Sequence, residues 1–229
     1  MEHYNENDSF FQKVYCNFIS MLYNYSLGGE NVAALFILGS YLYGSIPFAL
    51  VIGKLFYKTD IRHYGSGNLG GSNAGRVLGR GAGFICIILD TSKAVLVVLI
   101  TEQLCIQTGL PIDISYICAI ACVIGHCYPI FAHFKGGKAV STAIGYWYAI
   151  NPIGGILATI LFMTVLKVSK YVSLASIIGT ITILICTPFL AMSLVGKITN
   201  ACIGLLLLYR HKDNMKRIKN HTERKVTWL

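Results

Sequence analysis

This sequence predicts an all-α polytopic membrane protein with about seven transmembrane helices, an external N-terminus and a cytoplasmic C-terminus. Three observations carry that reading. Apolar residues make up 55% of the 229, charged residues only 13%, and mean hydropathy is +0.61. Soluble domains carry about 25% charged residues, so charge is here about half the usual. Long uncharged runs alternate with short loops that hold most of the lysines and arginines. Finally, the cations are one-sided. With the N-terminus outside, only Lys13 and Lys197 of 19 Lys and Arg fall on the outer face, where Glu2, Glu6, Asp8, Glu30, Glu102 and Asp113 also lie. Cytoplasmic loops are enriched in Lys and Arg, which places the remaining loops inside. The net charge of +9 therefore does not point to nucleic acid.

The chain divides into an N-terminal extension, 1–30, and a transmembrane domain, 31–229. The extension begins acidic and lacks the uniform apolar core of a secretory signal. Its Phe10, Phe11, Tyr15, Phe18, Met21, Leu22 and Tyr25 recur at helical spacing, which predicts an amphipathic helix on the membrane surface. Val32–Leu55 is the first span, and Pro47 predicts a kink in it, tolerable where neighbours satisfy the freed backbone groups. Gly83–Ile100 is the second span and carries Asp90 and Lys93, three apart and so on one helical face. Such a pair inside a bilayer is either functional or mutually neutralising; the second reading is preferred. Thr101–Asp113 is expected as a loop, and Ser115–Phe131 as the third span. Ala143–Ile150 and Ile153–Leu166 flank Asn151–Pro152 and are short for a hydrocarbon core of about 30 Å. They form either a hairpin of tilted helices or one re-entrant element. Val172–Leu190 and Leu194–Tyr209 complete the spans. If 143–166 does not cross, five spans preserve the same sidedness.

Four polar clusters are thereby brought to one face. Tyr64–Arg80, YGSGNLGGSNAGRVLGR, holds six glycines, two serines, two asparagines and two arginines. It reads as a loop whose backbone N–H groups and arginines cradle an anion. The second cluster contains Lys135, Gly136, Gly137 and Lys138 before a helix start, whose free N–H groups favour negative charge. His126 just before it is at least as well explained by packing as by acid–base chemistry. Tyr171–Ser176 and the basic tail from His211 complete the set. Eight cysteines without a CxxC pair favour packing over metal or disulfide roles. His3 and Asp8 have an acyltransferase-like spacing, but sit in the external extension and are read as coincidence. No GxSxG, Walker A or HExxH motif is present. A basic, hydroxyl-rich, nucleophile-poor site suits binding and orienting two anions.

Together GSIPFAL, DIRHYGSGNLGGSNAGRVLG, LDTSKA, GHCYPIFAHFKGGKAVSTAIG, YVSLAS and HKDNMKRIKNHTERK resemble, in order and spacing, the bacterial acyl-phosphate:glycerol-3-phosphate acyltransferases (PlsY), over about residues 32–226. The resemblance implies an enzyme of phospholipid synthesis in the bacterial cell (inner) membrane. Its substrates would be acyl phosphate and glycerol 3-phosphate, its products lysophosphatidic acid and phosphate, and it would use no cofactor and no metal. It implies Ser66, Arg76, His211 and Asn214 as catalytic residues. Gly65, Gly67, Asn68, Asn73, Lys135, Gly136, Gly137, Lys138, Ser173, Ser176 and Glu223 are implied as substrate-binding. The sequence departs from the family pattern at Gly71–Ser72 within GGSN, and at Ala94, Ala139 and His221, where glycines are usual. Only His221 puts a local turn, the one before Glu223, in doubt. The rival reading is a small transporter or channel for an anionic metabolite, which would use Asp90 and Lys93 and the short paired helices. A purely structural membrane scaffold leaves the loop motifs unexplained.

Overall fold

The computed structural model describes residues 29–226. The expected surface helix of the extension, Phe10 to Tyr25, lies outside the described residues. Within them the chain is helical, without strands: α1 (Gly29–Gly44), α2 (Phe48–Tyr57), α3 (Gly71–Val77), α4 (Arg80–Thr108), α5 (Asp113–Cys127), α6 (Val140–Ile150), α7 (Pro152–Ser169), α8 (Val172–Cys186), α9 (Leu194–Arg210) and α10 (Lys212–Lys219).

Helices α4, α5, α7 and α8 are long and apolar enough to cross a membrane. The α1–α2 pair makes a fifth candidate, bent by 42° at its break. The bend falls at Ser45–Pro47, where proline removes a backbone donor and blocks the helix. Its freed carbonyls are not left bare. Lys93 reaches across from α4 and donates to the oxygens of Gly44 (3.2 Å) and Ile46 (2.5 Å). The same ammonium lies 3.0 Å from Asp90, whose carboxylate also faces His126 Nδ1 at 3.5 Å. All three side chains are buried. The intramembrane pair is therefore a brace for the kinked first span, and neither residue lines an open path.

Elsewhere the expected bounds move. α4 runs 29 residues, about 44 Å at about 1.5 Å per residue. It absorbs most of the segment expected as a loop because Thr101, Cys105 and Thr108 remain buried. The helix stops only at Gly109, whose positive φ of 69° lets its N–H return to the Cys105 carbonyl. α7 is 18 residues rather than 14 because the Asn151 side chain caps it, accepting from Gly154 N at 2.9 Å, and Pro152 occupies its first position. α6, by contrast, is only 11 residues and largely buried, with Tyr146 fully enclosed.

Backbones approach closely where side chains are missing. A Cβ on Gly44 would lie 2.2 Å from the Cys122 oxygen, one on Gly125 2.3 Å from the Tyr41 oxygen, and one on Gly145 2.0 Å from the Thr91 oxygen. Small residues at crossings give the dispersion contact that holds helices together where lipid removes the hydrophobic drive. Outward, α7 shows Ile153, Ile156, Leu157, Ile160 and Met163, an apolar face suited to lipid. The loops that join the helices bring the polar clusters to one end of this bundle.

Candidate active site

The first cluster is partly a helix rather than a loop. Residues 71–77 coil into α3 because Gly71 and Gly75 allow it to lie directly on α4: a Cβ on Gly83 would be 2.5 Å from the Gly75 Cα. The loop before it is folded around Asn73. The Asn73 Oδ1 accepts from Ser66 N (2.8 Å), and its Nδ2 donates to the carbonyls of Ile61 and Tyr64 (3.2 Å each). Both ends of this buried amide are thus engaged within its own loop. It positions Ser66, with Gly65 in a left-handed turn (φ 62°), where a side chain would strike Asn73. Ser66 is exposed, and so is Arg76 in the last turn of α3. Nearby, Asp60 caps the turn at Ile61–His63. It accepts from the Arg62 guanidinium at 2.6 and 2.9 Å, which holds its carboxyl well below the usual range.

The second cluster is also built differently from expectation. Gly136 and Gly137 do not offer their N–H groups to an anion: these donate to the carbonyls of Cys127 (3.2 Å) and His126 (3.1 Å). A Cβ on Gly137 would lie 2.1 Å from His126 Nε2. The glycines therefore let the loop lie flush on the packed His126. Their carbonyls are gripped from the other side by Arg210, which donates to Gly136 O (3.1 Å) and Gly137 O (2.9 Å). Arg210 also stacks over Tyr128, 5.1 Å from its ring centre. Asn68 adds a longer contact to Gly136 O at 3.4 Å. This doubly held loop ends in Lys138.

Lys138 Nζ donates to Asn214 Oδ1, and Asn214 Nδ2 donates to Glu223 Oε1 at 2.6 Å. A cation on one side and a carboxylate on the other fix which way the amide points. Ser173 Oγ donates to the same Glu223 oxygen at 2.8 Å, and Arg217 Nε to the other at 2.7 Å. Partial burial would raise the Glu223 pKa, but the bonds from Asn214, Ser173 and Arg217 win and hold it low. Burial pulls Lys138 down to about 8 against the opposing attraction of Glu223. Arg76 lies within reach of the Arg224 and Glu223 charges; desolvation of the part of its guanidinium that is covered, then Arg224, lowers its pKa, and Glu223 opposes them.

His211 sits where α9 meets α10, and its Nδ1 is 2.8 Å from the Leu207 carbonyl. A carbonyl only accepts, so Nδ1 carries the proton and Nε2 the lone pair. Burial lowers its pKa to about 4, so the ring is neutral at physiological pH.

Hydrogen bonds link Asn68 to Gly136, and Lys138 to Asn214, Glu223 and Ser173, while the chain itself joins Gly136 and Gly137 to Lys138, with His211 and Arg76 beside them. Ser176, Lys135 and the Ser66 loop, with Gly65, Gly67 and Asn73, stand apart. Ser176 Oγ turns back onto the Val172 carbonyl at 2.8 Å. Lys135 is exposed and makes no ion pair among the described residues. Ser66 is held by Asn73, whose side-chain hydrogen bonds all stay within residues 61–66. Arg210 and Arg217 were not expected; the one signal for Arg210 was its place directly before His211, among many tail cations.

One further feature adjoins this network. A groove between α6, α7, α8 and α9 is lined by Val140, Ala143, Ala158, Phe162, Ser176 and Ile183, among others. Val140 is two residues beyond Lys138, and Ser176 is one turn beyond Ser173.

Fold and site together define a helical membrane protein whose Lys138–Asn214–Glu223 network adjoins an apolar groove. The chain belongs to the glycerol-3-phosphate acyltransferase family, whose model matches residues 34–221. It is 42% identical over 190 residues to the glycerol-3-phosphate acyltransferase of Listeria monocytogenes serotype 4a (strain HCC23), covering 83% of this chain and 94% of that protein. The Staphylococcus aureus (strain JH9) enzyme is 39% identical over 197 residues, with 84% and 97% covered. Among solved structures it resembles PlsY (YgiH), an integral membrane glycerol 3-phosphate acyltransferase. The TM-score is 0.79 to its glycerol 3-phosphate form and 0.77 to its lysophosphatidic acid form, both at 33% identity. These comparisons cover 85% and 86% of this chain and 96% and 97% of the PlsY chains.

Proposed function

We propose that this protein acylates the 1-hydroxyl of glycerol 3-phosphate with acyl phosphate as donor, giving lysophosphatidic acid and inorganic phosphate in the first step of phospholipid synthesis. The observation that carries the reading is the place of Lys138, two residues before Val140 in the wall of the apolar groove. An acyl phosphate is a dianionic head on a hydrocarbon chain, and this arrangement offers a cation beside apolar walls. Family membership and the ligand forms of PlsY support glycerol 3-phosphate as acceptor.

The donor is a mixed anhydride with a good leaving group, so the chemistry requires no enzyme nucleophile. The acceptor oxygen attacks the acyl carbon, the bond from that carbon to the phosphate oxygen breaks, and the phosphate departs with the electron pair. The hydroxyl proton passes to the departing phosphate. Lys138 and Arg76 hold the two phosphates and stabilise charge as it develops. Ser66, presented by the Asn73-braced loop, adds a hydroxyl donor, and the neutral His211 turns a lone pair on Nε2 toward the acceptor. Glu223 holds Asn214 and Ser173 in place and remains ionised.

The site faces the cytoplasm, a reading that the cation asymmetry supports. Bonds from Asn68 to Gly136, from Ser173 to Glu223 and from Val226 N to the Lys170 carbonyl tie alternate helix ends together. That alternation supports a crossing by α6 as well as α7, and so about seven in all.

The test is phosphate release from palmitoyl phosphate with glycerol 3-phosphate, in detergent or a lipid mesophase, without added metal or coenzyme A. Release matched by lysophosphatidic acid and lost in Ser66→Ala and Arg76→Ala supports the reading. Folded protein that releases no phosphate sinks it, and a trapped acyl-enzyme sinks direct attack.

A further inference from the structure

We infer that Gly179 sets the length of acyl chain that the groove accepts. The inference rests on the acyltransferase reading and extends it to one residue. Along α8, Ser173, Ser176, Gly179 and Ile183 follow one another at helical spacing. Ser173 bonds Glu223 in the polar site, while Ser176, Gly179 and Ile183 line the groove. At about 1.5 Å per residue, Gly179 lies about 9 Å from Ser173 along the helix, and Ile183 about 15 Å.

Gly179 has no structural reason to be glycine. It sits inside a helix, where glycine costs about 0.5–1 kcal/mol relative to alanine. Its φ is not positive, so no turn demands it. A Cβ there would meet nothing within 4 Å, whereas one on Gly204 would meet Leu184 at 2.6 Å. Among the residues that line the groove it is the sole glycine. The space it leaves is therefore groove, not helix contact.

The wall around it is apolar in effect. Ser176 and Thr180 turn their hydroxyls onto the Val172 and Ser176 carbonyls, both at 2.8 Å. Neither hydroxyl of the lining is thus left facing the groove without a partner. The occupant that fits a narrow apolar groove beside an anion site is the hydrocarbon tail of the same substrate. A side chain at 179 would stop that tail about two helical turns beyond the polar site.

The experiment compares the parent with Gly179→Ala and Gly179→Leu on acyl phosphates from octanoyl to palmitoyl. For Gly179→Leu, kcat/KM on palmitoyl phosphate should fall at least about tenfold, the worth of two or three methylenes left unburied. Octanoyl phosphate should stay within about twofold of the parent, with Gly179→Ala between the two. Parallel loss at every chain length, or no change at any, overturns the role of Gly179 while the donor assignment stands. A parent inactive on every acyl phosphate overturns both.

Discussion

Lys138 donates a hydrogen bond to Asn214, 76 residues away, and this one contact joins the glycine loop to the C-terminal helix. It also explains why an asparagine stands in a tail otherwise full of cations: its amide couples Lys138 to Glu223 while adding no charge. Asn214→Asp would place a second carboxylate against Glu223 and pull Lys138 into an ion pair, away from an incoming phosphate. We expect kcat/KM to fall about 10²–10³-fold, the loss that follows removal of one well-placed donor. Asn214→Ala frees Lys138 but releases Glu223. Combined with Lys138→Ala, it should cost little more than Lys138→Ala alone, since the residues act as a unit. Steady-state kinetics of the two single variants and the double variant measure the coupling.

The pH profile should report the same lysine. Burial lowers Lys138 to about 8, below the usual lysine range, so its charge is present under neutral conditions and lost as pH rises through that value. Activity of the free enzyme, read as kcat/KM, should therefore decline on an alkaline limb near pH 8. Lys138→Arg, which keeps its charge, should move that limb upward even if its maximum is lower. His211 is neutral above about 4, so between pH 5 and 7 its titration contributes no limb. An acid limb near 6 belongs to the second ionisation of the substrate phosphates, which lies near 6, and should survive in His211→Gln.

Much of this was legible from composition and charge. The helical class, the kink at Pro47 and the gathering of cations at one end follow from hydropathy, proline chemistry and the positions of Lys and Arg. What misled was the meaning of glycine. Gly71, Gly75, Gly136 and Gly137 look like conformational freedom for an anion cradle, yet the structure uses them for close packing on Gly83 and His126. A single chain does not reveal which backbone will pass within contact distance. The bonds of Asn73 were not legible for a related reason: a polar side chain in a ligand-like loop can serve the loop itself. Arg210 had only its place directly before His211 to mark it among so many tail cations, and only tertiary contact shows it gripping Gly136 and Gly137.

The departures at Ala139 and His221 acquire a physical reading. Both hold left-handed backbone, with φ of 57° and 55°, where a side chain is costly and glycine is not. His221 is exposed, and its N–H bonds the Ile218 carbonyl at 3.1 Å, so the turn before Glu223 forms without glycine but under strain. His221→Gly should stabilise the protein by about 0.5–1 kcal/mol, the left-handed penalty less the added freedom of the unfolded chain. That corresponds to a rise of roughly 1–4 °C in Tm. Ala139 is buried, and losing its methyl costs about 0.8 kcal/mol. Ala139→Gly should therefore be close to neutral, and thermal unfolding in detergent compares the two.

Lys93 provides the sharpest test of the brace. Its ammonium answers three acceptors at once: Asp90 and the two carbonyls freed at the bend before Pro47. Lys93→Met keeps the length of the side chain but leaves Asp90 without its ammonium partner and strands both carbonyls. Breaking a buried pair from one side costs about 3–5 kcal/mol, and the orphaned carbonyls add to it. Asp90→Asn is milder, because Lys93 retains its carbonyl partners and an amide oxygen still faces it. The order of Tm in detergent should be parent, then Asp90→Asn, then Lys93→Met. Restoring neutrality in the double variant should recover only part of the loss, since nothing then satisfies Gly44 and Ile46. If Lys93→Met unfolds no earlier than Asp90→Asn, the lysine is not what holds the kink.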